Sequence, residues 1–197
     1  MLIHSMDNSP PVFDASTFVP VPRKPEWSVY QPENLPSAWK KIAEITDVQD
    51  KDTADDWQLY FDGTMLIFHH WSDSINEFNG KPFRYVGQYE FPIGAAAWFV
   101  ENLPRFFNAG DPTKPQTSKG FHHYDRTGSG GEGLGISRLI NSIGRDIPGY
   151  SLDNLSRCGH PDMDLCQSFK MSDDFLFNQG MLELFKDIAK RHAAGTL

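Results

Sequence analysis

Cysteine, positive charge and long apolar runs are all scarce in this chain. Two cysteines in 197 residues cannot build a disulfide framework, and thiols in that number read as ordinary reduced side chains. No apolar stretch approaches the ~20 residues a membrane-spanning helix needs, so no membrane partner is expected. The opening residues MLIHSMDNSPPVF have neither a basic segment nor an apolar one, so no secretory signal is expected, and with so few cysteines the expected location is the reducing cytoplasm. Lys and Arg total 18 against 26 Asp and Glu, a net charge of −8. Proteins that hold nucleic acid by neutralising phosphates carry a basic face, so nucleic-acid binding is disfavoured. The nucleophile elbow G-x-S-x-G and the phosphate loop ending in Gly-Lys-Ser/Thr are both missing, and the reading leans away from an enzyme.

Aromatic residues are plentiful. Hydrophobic residues make up 39% and aromatics 13%, with 15 Phe and 5 Trp, enough for a substantial core. Residues 1–36 are rich in proline, with Pro10, Pro11, Pro20, Pro22, Pro25, Pro32 and Pro36. Each fixes φ and lacks a donor, so this stretch reads as an extended arm, with Trp27 and Tyr30 among its apolar anchors. Residues 37–197 read as one α+β domain, an antiparallel β-meander of about three to five strands packed against helices. Helical spacing of Trp39, Ile42, Ala43 and Thr46 predicts a helix after Pro36. WQLYF, Asp62-Gly63 and TMLIFHHW then predict a hairpin, and PFRYVGQYEF (82–91) a further strand after Asn79-Gly80. Phe83, Tyr85, Tyr89 and Phe91 share one face of that strand and read as core. AAAWFVENL predicts a helix over 95–103, and 108–133 reads as a long Gly-rich loop. Ile136, Leu139, Ile140 and Ile143 predict a short helix. Ser172 caps a C-terminal helix with Phe177, Met181, Leu184, Phe185 and Ile188 on one face.

Three sets of residues could carry chemistry. In GFHHYDRTGSGGEGLGISRLI (120–140), His122 or His123 would move protons with Asp125 as orienting carboxylate. Gly128, Gly130 and Gly133 precede the expected helix and could cradle a phosphate, with Arg126 and Arg138 holding the anion. Cys158, His160 and Cys166 are the nearest approach to a metal-ligand set; their irregular spacing and want of a fourth ligand argue against zinc, so no cofactor is expected. Finally, Glu44, Asp47, Asp50, Asp52, Asp55 and Asp56 are opposed locally by Lys51 alone. Such a patch suits a partner protein with a basic surface.

These features favour an acidic binding protein working through protein–protein interaction, in the manner of an immunity, inhibitor or accessory protein. Trp27 and Tyr30 would add aromatic anchors to the acidic patch. The alternatives are an enzyme or phosphate-binding protein centred on 120–138, and a single-strand nucleic-acid binder using the aromatic strand face.

Overall fold

The computed structural model describes residues 28–49, 54–76, 78–108, 111–115, 122–160 and 163–197. Where the sequence suggests one meander of about three to five strands, two antiparallel four-stranded meanders follow one another, each running into helix. β1 (Lys40–Val48), β2 (Ala54–Phe61), β3 (Met65–Ile75) and β4 (Pro82–Pro92) form the first sheet in that order, and α1 (Ala95–Asn102) follows. A small pair, β5 (Phe107–Asn108) and β6 (Asp111–Pro115), leads to the second sheet. That sheet holds β7 (His122–Ser129), β8 (Glu132–Leu139), β9 (Gly149–His160) and β10 (Met163–Ser172), and α2 (Asp173–Phe177) and α3 (Met181–Ala193) come last. The fold is a mixed α+β one with antiparallel strands, and no helix among the described residues is long and apolar enough to cross a membrane.

Local chemistry accounts for the turns. Asp62 Oδ1 accepts from the backbone N–H of Thr64 and Met65, and Gly63 takes φ 103°, which closes the β2–β3 hairpin. Gly130 and Gly131 both have positive φ (62° and 75°) at the tip of β7–β8, a conformation that glycine adopts without strain. Ser172 Oγ accepts from Phe175 N–H, so it caps α2 as expected. The C-terminal helix is interrupted at Gly180, φ 99°, and restarts as α3.

Three sequence expectations are overturned by pairing. The segment after Pro36 is strand β1, not a helix: Ala43, Ile45 and Asp47 lie on one face, opposite Leu59, Trp57 and Asp55 of β2. Residues 132–139 are strand β8, held between β7 and β9 with Leu134 and Ile136 fully buried. Their i, i+3, i+4 pattern fitted a helix as well as a strand, and neighbours on both sides decided it. The stretch 108–133 contains β6 and β7 where a long loop was expected, and Gly130 and Gly131 turn the β7–β8 hairpin.

The core lies between the sheets and the helices. Phe68 of β3 stacks on Phe169 of β10 (centroids 4.4 Å) and meets Phe91 and Phe185 edge-on. Phe185 of α3 also packs on Phe99 of α1. Burying each such ring contributes roughly 1.5–3 kcal/mol. The opposite face of the first sheet, with Tyr60, Met65 and Ile67, is covered by Leu35 and Trp39. Residues 28–39 are tied there by hydrogen bonds: Tyr30 N–H donates to Gln88 Oε1, Gln88 Nε2 donates to Ser28 C=O, and His69 Nε2 lies 2.8 Å from Tyr30 C=O. Trp27, Asp50 and Asp52 lie outside the described residues.

The two sheets meet at β4, an edge strand. Glu90 N–H donates to Gln167 Oε1 (2.7 Å), and Glu90 C=O accepts from Asn154 Nδ2 (2.9 Å). Arg157, largely buried, bridges the carboxylates of Glu90 and Glu132, and Asn154 Nδ2 donates to Glu132 as well. Burial still holds the Glu90 carboxyl above its usual range, against the pull of Arg157. Removing the guanidinium would strand two buried carboxylates. Arg157→Ala is therefore expected to lower stability by about 3 kcal/mol, read from urea denaturation midpoints.

Candidate functional site

Adjacent strand residues face opposite ways, and this separates the two histidines of the sequence motif. His123 points toward α1, where its ring stacks on Trp98 (5.8 Å, 10° between planes). His122 points to the other face of the second sheet, with Nδ1 2.7 Å from Ser137 Oγ. Asp125 shares the His123 side, and both line an open groove of about 550 Å³ with Trp98, Glu101, Asn102, Arg105 and Tyr124. The three residues named from the sequence are thus not one catalytic constellation.

Gly128, Gly130 and Gly133 do not form the expected phosphate cradle. Gly128 and Gly133 lie in strands and Gly130 in the hairpin turn, and a strand follows where a helix N-terminus was needed. Arg138 is almost completely buried: it pairs with Asp173, donates to Gly149 C=O (3.2 Å) and lies over the Tyr150 ring (4.6 Å). That guanidinium is a structural cation, with none of the exposure an anion site requires. The Arg126 side chain lies outside the described ones.

The reading of two free thiols also changes. Cys166 is disulfide-bonded, and the chain's only other cysteine, Cys158, stands opposite it in the β9–β10 ladder. A sulfur in a disulfide is not a thiolate ligand, which removes Cys166 from the zinc set with His160. No metal-binding group of three or more His, Cys, Asp or Glu occurs among the described residues. The cysteine-based reason for expecting a reducing compartment falls with the free thiols.

The acidic set divides between two faces at one end of the first sheet. Glu44 and Asp56 are exposed on the face that carries residues 28–39, Glu44 paired with Lys41 and Asp56 accepting from Thr46 Oγ1 (2.6 Å). They line an open hollow of about 350 Å³ with Ile45, Thr46, Trp57 and Gln58. Asp47 and Asp55 lie opposite one another on the core-facing side. His70 Nε2 is 3.6 Å from Asp55 Oδ1, and Trp57 packs on the His70 ring at 5.0 Å. Tyr30 is no free anchor, since its ring packs edge-on against Trp39 at 5.3 Å.

Beyond this row the sheet outruns its core. The β2–β3 ladder stops at Gln58/His69, whereas β3–β4 continues to Ile75/Pro82 as a two-stranded ribbon. β3 is buried from Met65 to His70 and exposed from Ser72 to Ile75. Ile75 (69% exposed), Phe78 (100%), Phe83 (49%) and Tyr85 (52%) lie on or at the tip of this ribbon, and Val48 is exposed at the same end of β1. These are five of the ten large apolar residues exposed among the described ones. Alternation along β4 predicts Phe83 and Tyr85 in the core with Tyr89 and Phe91, but Phe83 and Tyr85 are exposed. Their cross-strand partners, Ser74 and Ser72, were the available sign that this part of the face is not covered. No protein-family model matches the chain, and no curated protein or solved structure is significantly similar to it.

The electrostatics of this end are testable. Asp47 is 3% exposed, its Oδ1 has no hydrogen-bond partner, and its pKa is pushed up to about 6, by burial first and then by Asp55 and Asp174. A carboxyl with a raised folded-state pKa penalises the fold when ionised. That penalty is absent below the ordinary carboxylate range, grows as pH rises through it, and is complete above about 6. Asp47→Asn should therefore stabilise the protein by about 2 kcal/mol near neutral pH and by close to nothing in acid, as read from denaturation at several pH values.

Proposed function

We propose that this chain is a protein-binding module whose docking surface is the projecting β3–β4 ribbon together with the acidic end of β1–β2. The observation that carries this reading is the exposure of Phe83 and Tyr85 on the face of the ribbon that continues the core side of the sheet, the same face that carries Asp55, with Phe78 fully exposed at the ribbon's tip. A two-stranded ribbon gains little stability by itself, and large apolar side chains left in water there are unfavourable until a partner covers them. The neighbouring carboxylates select the partner: a basic surface with aliphatic or aromatic side chains between its cations. Aromatic anchors would supply the affinity and the acidic residues the encounter rate. The chain's net charge of −8 acts in the same direction. This is an interaction protein of the immunity, inhibitor or accessory kind. The open groove beside His123 lacks the enclosure usual in small-molecule sites, which leaves a macromolecular partner the better fit.

Site-specific photocrosslinking tests this. A benzophenone side chain at position 83 of the full chain should give a discrete protein adduct in extracts of the source cells, and one at exposed Glu183 on α3 should not. Asp55→Lys with Asp56→Lys should slow formation of that adduct about tenfold at low salt. Equal adducts from both positions, or an adduct insensitive to salt and charge reversal, would refute the assignment.

A further inference from the structure

The second sheet has one face on the core and one turned outward. The register places the outward residues in two cross-strand rows. One row runs His122, Ser137, Ser151, Lys170; the next runs Tyr124, Gly135, Asp153, Ser168. At the centre, Asp153 accepts from three hydroxyls: Ser168 Oγ at 2.6 Å, Ser151 Oγ at 3.2 Å and Ser137 Oγ at 3.3 Å. Ser137 and Ser151 are buried, so they fix the carboxylate from beneath. Asp153 and Ser168 remain partly accessible, and His122, Tyr124 and Lys170 are exposed.

Tyr124 is held as a flat platform. Its ring crosses the strand over Gly135, where a Cβ would come within 2.8 Å of it, so only glycine allows the ring to lie there. His122 stacks parallel to it at 5.8 Å, 8° between planes. About half of Tyr124 remains open to solvent (51%).

The charges on this face choose among ligand classes. An anion meets Asp153 and a cation meets Lys170, whereas a neutral molecule with many hydroxyls meets no like charge. Such a molecule could give hydroxyl protons to Asp153 and the oriented Ser168 Oγ, and accept from Lys170 Nζ. Its C–H face would lie on the Tyr124 ring. We propose that the outward face of the second sheet is a carbohydrate-binding platform, with Tyr124 as the stacking residue and His122, Asp153, Ser168 and Lys170 as its polar contacts. This site is separate from the β3–β4 ribbon and does not depend on the function proposed for it.

NMR titration of the full chain tests the platform, using the methyl glycosides of glucose, mannose and galactose, and N-acetylglucosamine. At least one should shift the Tyr124 and His122 ring signals saturably, with a dissociation constant of millimolar order. Tyr124→Ala, which removes a half-exposed ring and leaves the amide spectrum folded, should weaken binding at least about tenfold. Ser168→Ala should weaken it severalfold. Phe83→Ser, on the ribbon, should leave it unchanged. The proposal is overturned if none of the four sugars produces a saturable shift up to about 100 mM. It is overturned equally if binding survives Tyr124→Ala, or if arginine or inorganic phosphate shifts these signals and the sugars do not.

Discussion

The edge of β4 at Glu90 is the point on which the arrangement of this protein turns. An edge strand leaves backbone donors and acceptors without a ladder, and burying them unpaired would be costly. Here the amides of Gln167 and Asn154 take the place of a fifth strand at Glu90, and Arg157 neutralises the carboxylates that the junction encloses. This sets where the second sheet sits on the first. Phe169 reaches Phe68, Trp57 and Tyr89, and the helices fill the space beside them.

The same placement leaves the far rows of the first sheet uncovered. From Phe68 to His70 the core-facing side is sealed, and from Ser72 onward it is open. The tolerance of a buried Asp47 with an unsatisfied oxygen, on the margin between these regions, costs stability near neutral pH. The exposed aromatics of the ribbon, left in water, are likewise unfavourable for the isolated fold.

Strands β2, β3 and β4 of the first sheet were legible locally, whereas none of the second sheet's four strands was. Alternation marked β4, the runs WQLYF and TMLIFHHW on either side of Asp62-Gly63 marked the β2–β3 hairpin, and Ser172 marked the start of α2. The helix over 95–103 was visible from its composition and from Pro104. Segments whose apolar spacing suits period 2 and period 3.6 alike were misread. β1 and β8 are such cases, and each is a strand because a neighbouring strand offers its ladder. The acidic patch was legible as charge. The ribbon was not, because Phe83 and Tyr85 look the same in sequence as Tyr89 and Phe91, and only the reach of the covering layer distinguishes them.

By itself the sequence determined turns, caps, strand alternation and net charge, since these depend on side chains a few residues apart. Tertiary structure decided which of two opposite faces each residue meets, and with it the separation of His122 from His123 and the gathering of three serines around Asp153. A one-residue shift along a strand reverses the direction of a side chain, and only pairing with strands distant in the chain fixes that register.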